Sequence, residues 1–385
     1  MRKTGAHFFA SCSSHDARLN QLDGLRGVAA FSVVIYHFVC AFVPSATDPD
    51  ATTLTRPGEV VLRFLFSGSF AVAIFFVLSG FVIANSAAGR RQPLLVSALL
   101  RYLRLALPAA ASVLLAWLLL RALPDAVRRL DAISPSWWFK WTYQDPIPPL
   151  LTALRDGLLD NFLTGGSQFN NVLWTMRIEL IGSLLLYAIF AVSRGRVRIA
   201  VLVATGVLFI ALQRHHYCAF ILGALLREGW AAGKLPNLPA GRLFWAGLVL
   251  GSGASLIALL GGGPFQKAET MIEGLAATAV VFDLLACNRL KSLFGSAVPL
   301  FLGRISFGLY LVHVPILYTL VATGVVGFAA LGPMALSLWF VAFVGISLFA
   351  GLVFTWFVDE PVLGFNKRLR RRMETWHQLL RTRFA

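Results

Sequence analysis

The sequence predicts an all-α, polytopic integral membrane protein with about ten transmembrane helices and both termini cytoplasmic. Three observations carry this. Hydrophobic residues make up 57% of the 385 and charged residues only 14%, where a soluble domain has roughly 25% charged residues. Apolar runs recur at the length of about 20 residues that a helix needs to cross a hydrocarbon core. The basic residues fall mostly on alternate connections between these runs. Disordered, collagenous and ordinary cytosolic classes are excluded on composition alone.

The candidate spans, in order, are 26–46, 65–87, 103–123, 172–193, 197–213, 215–230, 242–261, 270–288, 303–325 and 333–357. They divide the chain into a cytoplasmic N-terminal segment at 1–21, a membrane domain at 22–365 and a basic cytoplasmic tail at 366–385. Arg2 and Lys3 precede no separate short apolar stretch, so a cleavable signal peptide is not expected. The one long connection, 124–171, reads as an extracytoplasmic loop. It carries five prolines and the cluster Trp137, Trp138, Trp141 and Tyr143. Such aromatic residues favour the membrane interface, as in a re-entrant or surface helix; a stacking platform for a sugar or lipid acceptor is the sharper alternative.

A net charge of +16 would suggest nucleic acid in a soluble protein. With the N-terminus cytoplasmic, 24 of the 34 Lys and Arg fall on inner segments and 9 on outer ones. The charge is therefore a topology signal, with membrane lipids as the surrounding partner and no nucleic acid. The cysteines Cys12, Cys40, Cys218 and Cys287 have no metal-ligand spacing, and no metal is expected.

Ionisable groups within spans are costly and mark candidate function. His37, Glu179, Asp283 and His313 qualify. At a rise of about 1.5 Å per residue, His37 lies about 10 Å from the outer end of the first span. Glu179 is seven residues past the expected outer start of span four at Val172, so the same arithmetic puts it at the same level. A His–carboxylate pair suits a general base and its orienting partner, or a structural bridge between helices. Tyr310 lies one turn from His313, where either residue binds substrate or joins helices. Asp283 reads as the partner of an inner Arg, and His215 and His216 as solvated loop residues. At the inner mouth, Arg90, Arg91, Arg101 and Arg104 suit phosphate, because a planar guanidinium donates two parallel hydrogen bonds; topology alone would also gather Arg there.

The motifs resemble those of the membrane-bound acyltransferase family 3, the type that includes O-antigen and exopolysaccharide acetyltransferases. Leu22-Asp23-Gly24-Leu25-Arg26-Gly27 leading to His37 is similar to its opening, with ten residues between Arg and His. Phe75-Phe76-Val77-Leu78-Ser79-Gly80-Phe81 resembles its second-span signature. Leu173-Trp174-Thr175-Met176 with Glu179 resembles its Trp-Ser/Thr-Leu-x-x-Glu element. Ser306, Tyr310, His313 and Pro315 match its late pattern, and Glu360-Pro361 resembles its closing Glu-x-Pro region with one residue fewer between them. The third-span signature departs: Arg101 stands alone before Arg104, and Pro108 follows four positions on.

The resemblance implies transfer of an acyl group, commonly acetyl from acetyl-CoA, to a hydroxyl of a carbohydrate, lipid-linked or other cell-envelope acceptor. It implies an enzyme of the bacterial inner membrane. His37 is then the expected base with Glu179 orienting it. Arg26, Arg90, Arg91, Arg101 and Arg104 are expected to hold the acyl-CoA, and Ser79, Trp174, Tyr310 and His313 to contact substrate. The rival class is a secondary transporter using intramembrane His and Glu as a proton relay; no second copy of either segment supports the inverted repeats frequent in that class. A receptor or scaffold would need no buried His–Glu pair.

Overall fold

The computed structural model describes residues 20–48, 57–89, 92–133, 136, 138, 146–235, 241–327 and 332–383. The regular elements among them are all helical: α1 (Asn20–Phe42), α2 (Pro57–Leu65), α3 (Gly68–Ala88), α4 (Leu94–Ala122), α5 (Ala126–Ile133), α6 (Leu150–Arg155), α7 (Asn161–Thr164), α8 (Trp174–Val192) and α9 (Gly195–Ala211). These are followed by α10 (His215–Ala231), α11 (Arg242–Gly261), α12 (Gly263–Ala286), α13 (Asn288–Phe294), α14 (Ala297–Ile316), α15 (Ala322–Gly327), α16 (Gly332–Phe354) and α17 (Glu360–Arg383). Single π-helical turns at Asp156–Asp160, Leu317–Val321 and Thr355–Asp359 join α6 to α7, α14 to α15 and α16 to α17.

Each of the ten expected spans coincides with a helix. Seven helical stretches are long and apolar enough to cross a membrane, or eight if α12 and α13, bent by 99° at their junction, act as one. The shortfall from ten lies at α9 and α10, which have 17 residues each. Their length of about 26 Å falls just short of a hydrocarbon core of about 30 Å.

The centre of the bundle is built where backbones approach closely. A Cβ on Gly27 would lie 2.2 Å from the Gly303 nitrogen, and one on Gly303 would lie 2.4 Å from the Asp23 carbonyl oxygen. The α1–α14 crossing thus exists only because both residues lack a side chain, a recurrent device at helix interfaces in membranes. Gly80 and Gly223 do the same for α3 against α10. The fully buried Phe76, Phe81, Phe220 and Leu78 fill the space beside them. The outer helices present apolar side chains outward, among them Val207 of α9, Val249 of α11, and Val341 and Phe349 of α16. In lipid these faces cost nothing, which accounts for the composition.

The long connection enters the bundle instead of lying over it. Trp117 Nε1 donates to the Pro148 carbonyl, a Cβ on Gly157 would sit 2.6 Å from Ala110 Cα, and the Tyr102 hydroxyl donates to the Leu158 carbonyl. Residues 148–164 therefore descend along α4 from its far end toward its start, as a re-entrant segment does. Of the expected platform, Trp138 is described and buried; Trp137, Trp141 and Tyr143 lie outside the described residues.

Candidate active site

The helix ends bearing Arg26, Arg101, Arg104 and Arg304 define a basic end of the bundle. A cavity of about 550 Å³ opens there and runs inward to Phe75, Thr175 and Tyr310. Four Arg–carboxylate pairs line it. Arg26 Nη1 meets Asp23 at 2.8 Å, and Arg304 Nη2 meets Glu360 at 2.7 Å. Arg104 is bound by Asp359, with the longer of its two contacts at 3.2 Å. Arg101 Nη2 donates to Glu179 Oε1, while its Nε donates to Ser183 Oγ at 2.9 Å. The Ser79 hydroxyl donates to the same Glu179 oxygen at 2.7 Å. Four cations face four anions, so an entering polyanion must displace carboxylates as well as meet guanidinium groups. Arg90 and Arg91 lie outside the described residues.

The second constellation lies one helical turn past Tyr310 on α14, outside the residues that line this cavity. His37 Nδ1 and His313 Nε2 are 2.9 Å apart, and His313 Nδ1 is 3.0 Å from the Leu309 carbonyl oxygen. A carbonyl can only accept, so in the neutral pair His313 carries its hydrogen on Nδ1 and presents an unprotonated Nε2. His37 must then donate from Nδ1, which leaves the lone pair on His37 Nε2. Two side chains 276 positions apart thereby fix which His37 nitrogen keeps an unshared lone pair. Trp138 roofs the pair, its ring centroid 5.2 Å from that of His37.

The expected pairing of His37 with Glu179 is not what the fold makes. Tyr310 is 13 residues into α14, about 20 Å from the basic end, and its hydroxyl donates to the Val172 carbonyl. Val172 is therefore deep in the bundle and not at its surface, because the re-entrant segment delivers α8 part-way through. Seven residues further on, Glu179 lies about 10 Å from the basic end, whereas His37, 17 residues into α1, lies about 26 Å from it. About 15 Å of bundle separates them. Glu179 belongs to the arginine cavity and His37 to the histidine pair.

The other expected site residues divide similarly. Ser79 and Tyr310 line the cavity, but each hydroxyl proton already has an acceptor, in Glu179 and the Val172 carbonyl. Trp174 instead packs edge-on against Phe76 and lies 5.2 Å from the His216 ring. His216 is thus part of the helical packing and not a solvated loop residue. Asp283 is wholly buried and accepts from the Phe244 backbone N–H at 2.9 Å, in place of the expected Arg. Sequence reasoning missed Asp359, which holds Arg104 across 255 positions, and Asn170, whose amide donates to the Leu311 carbonyl at 2.8 Å. The acidic pair Asp359-Glu360 directly after an apolar run was the available signal for the first.

The re-entrant segment has one further titratable feature. Asp156 is buried and accepts from Ser167 Oγ and the Gln168 N–H. Burial pushes its carboxyl up to about 6, only partly offset by those donors.

The family described as "Acyltransferase domain" matches residues 19–357. The O-acetyltransferase PaAT-1 of Phomopsis amygdali is 26% identical over 370 residues, covering 78% of this chain and 72% of that protein. No solved structure matches the chain.

Proposed function

The chain belongs to acyltransferase family 3 and is a multi-pass membrane acyltransferase; from that premise we propose that it carries an acetyl group from cytoplasmic acetyl-CoA to a hydroxyl of a carbohydrate or related envelope acceptor at the far side of an inner membrane. The single observation that carries this reading is the chain Leu309 carbonyl–His313–His37, which leaves a free lone pair on His37 Nε2 just beyond a cavity lined with guanidinium groups.

The residues suit such a donor. Coenzyme A is a polyanion with a long, narrow thioester arm. Its phosphates would compete with Asp23, Asp359 and Glu360 for Arg26, Arg104 and Arg304, while Glu179 keeps Arg101 extended into the cavity. The arm would follow the cavity toward Phe75 and Tyr310, bringing the thioester carbonyl near the histidine pair. His37 Nε2 would then take the proton of the acceptor hydroxyl as its oxygen attacks that carbonyl. The carbon–sulfur bond breaks, the ester forms, and the departing thiolate takes the proton back from the imidazolium. His313 holds the ring in the productive tautomer and shares the positive charge through the Nδ1–H bond. A base so placed contributes about 10²- to 10⁴-fold.

The test is sided. In proteoliposomes supplied with an envelope glycan, labelled acetyl-CoA should release free thiol when offered at the basic end and not at the far end. Arg101→Ala and Arg104→Ala should each raise its KM. Equal turnover from both faces, or unchanged KM in both variants, would overturn the donor path.

A further inference from the structure

The wall of the arginine cavity continues outward along one face of α17. Glu360 and Leu363 line the cavity, and both are exposed. Residues three, four and seven apart share a helix face. Lys367, then Arg370 and Arg371, therefore carry the line of Glu360 and Leu363 past the mouth. At about 1.5 Å per residue they stand about 10–16 Å beyond Glu360, and all three are exposed.

The other faces of α17 do different things. Val362 is buried, Leu369 and Met373 are half-buried, and the Asn366 amide donates to the Leu100 carbonyl at 3.0 Å, so this side packs on α4. Arg368 and Arg372 fall on a third face, in line with the exposed Phe365. Topology accounts for cations at this level of the helix. It does not ask for them on the face that extends the cavity wall.

The charges on that face are also unlike those inside. Each of the four cavity arginines meets a carboxylate. The side chains of Lys367, Arg370 and Arg371 make no ion pair or hydrogen bond among the described residues. Glu374, the one acid on the same face a turn further on, is likewise unpaired. Three cations against one carboxylate leave the face positive. An incoming polyanion would thus gain net attraction from α17, where the cavity itself is balanced.

The shape of a coenzyme A thioester says which anion arrives there. Entering by its acyl end, it places the narrow arm in the cavity and leaves the bulky nucleotide outside. The pyrophosphate joins the two and meets the arginines of the mouth. The ribose 3′-phosphate is the anion left beyond them.

We infer that Lys367, Arg370 and Arg371 form a phosphate subsite that binds the 3′-phosphate of the acyl donor's nucleotide. The inference rests on acyl-CoA as the donor, as proposed above. The guanidinium groups supply paired hydrogen bonds to the phosphate oxygens and the ammonium a point charge.

The test is equilibrium binding of labelled CoA and of dephospho-CoA, which lacks only the 3′-phosphate, to purified full-length protein in phosphatidylcholine nanodiscs. The parent should hold CoA about tenfold more tightly, the worth of one charge-assisted hydrogen bond. Lys367→Gln, Arg370→Gln and Arg371→Gln, made together on an exposed face, should abolish that preference and leave dephospho-CoA affinity within about twofold. Arg368→Gln with Arg372→Gln, which removes charge at the same level from another face, should keep it. A preference that survives the first variant leaves the face to lipid headgroups and overturns the subsite; so does a preference lost equally in both variants, which reports net charge alone. Two further outcomes separate the claims. A parent that binds neither nucleotide overturns the donor reading itself, whereas one that binds both equally overturns only the subsite.

Discussion

The two ends of the bundle are held together by different physics. At the basic end, each of four arginines meets a carboxylate; Arg26 and Asp23 pair within α1, and the other three pairs join distant elements: α4 with α8, α4 with the turn before α17, α14 with α17 itself. Toward the far end, the histidine pair and its surroundings are joined by neutral hydrogen bonds: imidazole to imidazole, imidazole to carbonyl, amide to carbonyl. An ion-paired cavity suits a polyanion, because each carboxylate can be exchanged for a phosphate without exposing a guanidinium to lipid. A neutral, buried imidazole chain suits proton transfer, because a charge formed there is felt strongly in a low dielectric. On the proposed function, affinity for the donor and reactivity toward the acceptor would belong to separate layers about 15 Å apart along the bundle.

Substitutions can break that separation or sharpen it. The largest effect is expected from His37→Ala, with kcat falling about 10²- to 10⁴-fold and donor affinity intact, as steady-state kinetics and equilibrium binding would show. His313→Ala should lower kcat by roughly tenfold or more, since the base atom stays but its orientation is lost; His313→Asn, whose amide can still accept from His37, should recover part of it. Arg101→Ala leaves Glu179 without its ion-pair partner, held by Ser79 alone, in a site where both side chains are mostly buried. It should lower thermal stability by about 1–3 kcal/mol and raise the donor KM, so that both readouts move together. Asp359→Asn frees Arg104 from its partner, and the donor KM should fall a few-fold, with a steeper dependence on salt.

A further substitution tests neither layer but the segment between them. Because burial raises the folded-state value of Asp156 to about 6, its ionisation disfavours the fold. The stability it allows is complete below about pH 4, near the unfolded value, and is lost as pH rises through 6. Asp156→Asn should match the parent in melting temperature near pH 4 and exceed it above pH 6, by at most about 3 kcal/mol. A difference that grows toward low pH would contradict the assignment.

Much of this was legible in the sequence, for definite reasons. The helices follow from hydropathy, which reports lipid exposure directly, and all ten segments appear as helices. Arg26, Arg101 and Arg104 sit at the basic end because charge cannot sit elsewhere along those runs. Glu179 was misplaced in depth because hydropathy marks where an apolar run begins, not where that beginning lies in the membrane. Val172 starts such a run deep in the bundle, and only the re-entrant course of 148–164 shows it. Long-range partners were out of reach for a different reason. Nothing local in Leu309–Pro315 says that His313 will meet His37, since the contact depends on Gly27 and Gly303 letting two backbones touch.

The central claim, that donor capture and proton abstraction belong to separate layers, is tested most directly by single-turnover thiol release from labelled acetyl-CoA in purified His37→Ala with an acceptor glycan present. The account predicts donor binding within about twofold of the parent and release slower by at least about 100-fold. Release at the parental rate, or loss of donor binding together with loss of release, would contradict it.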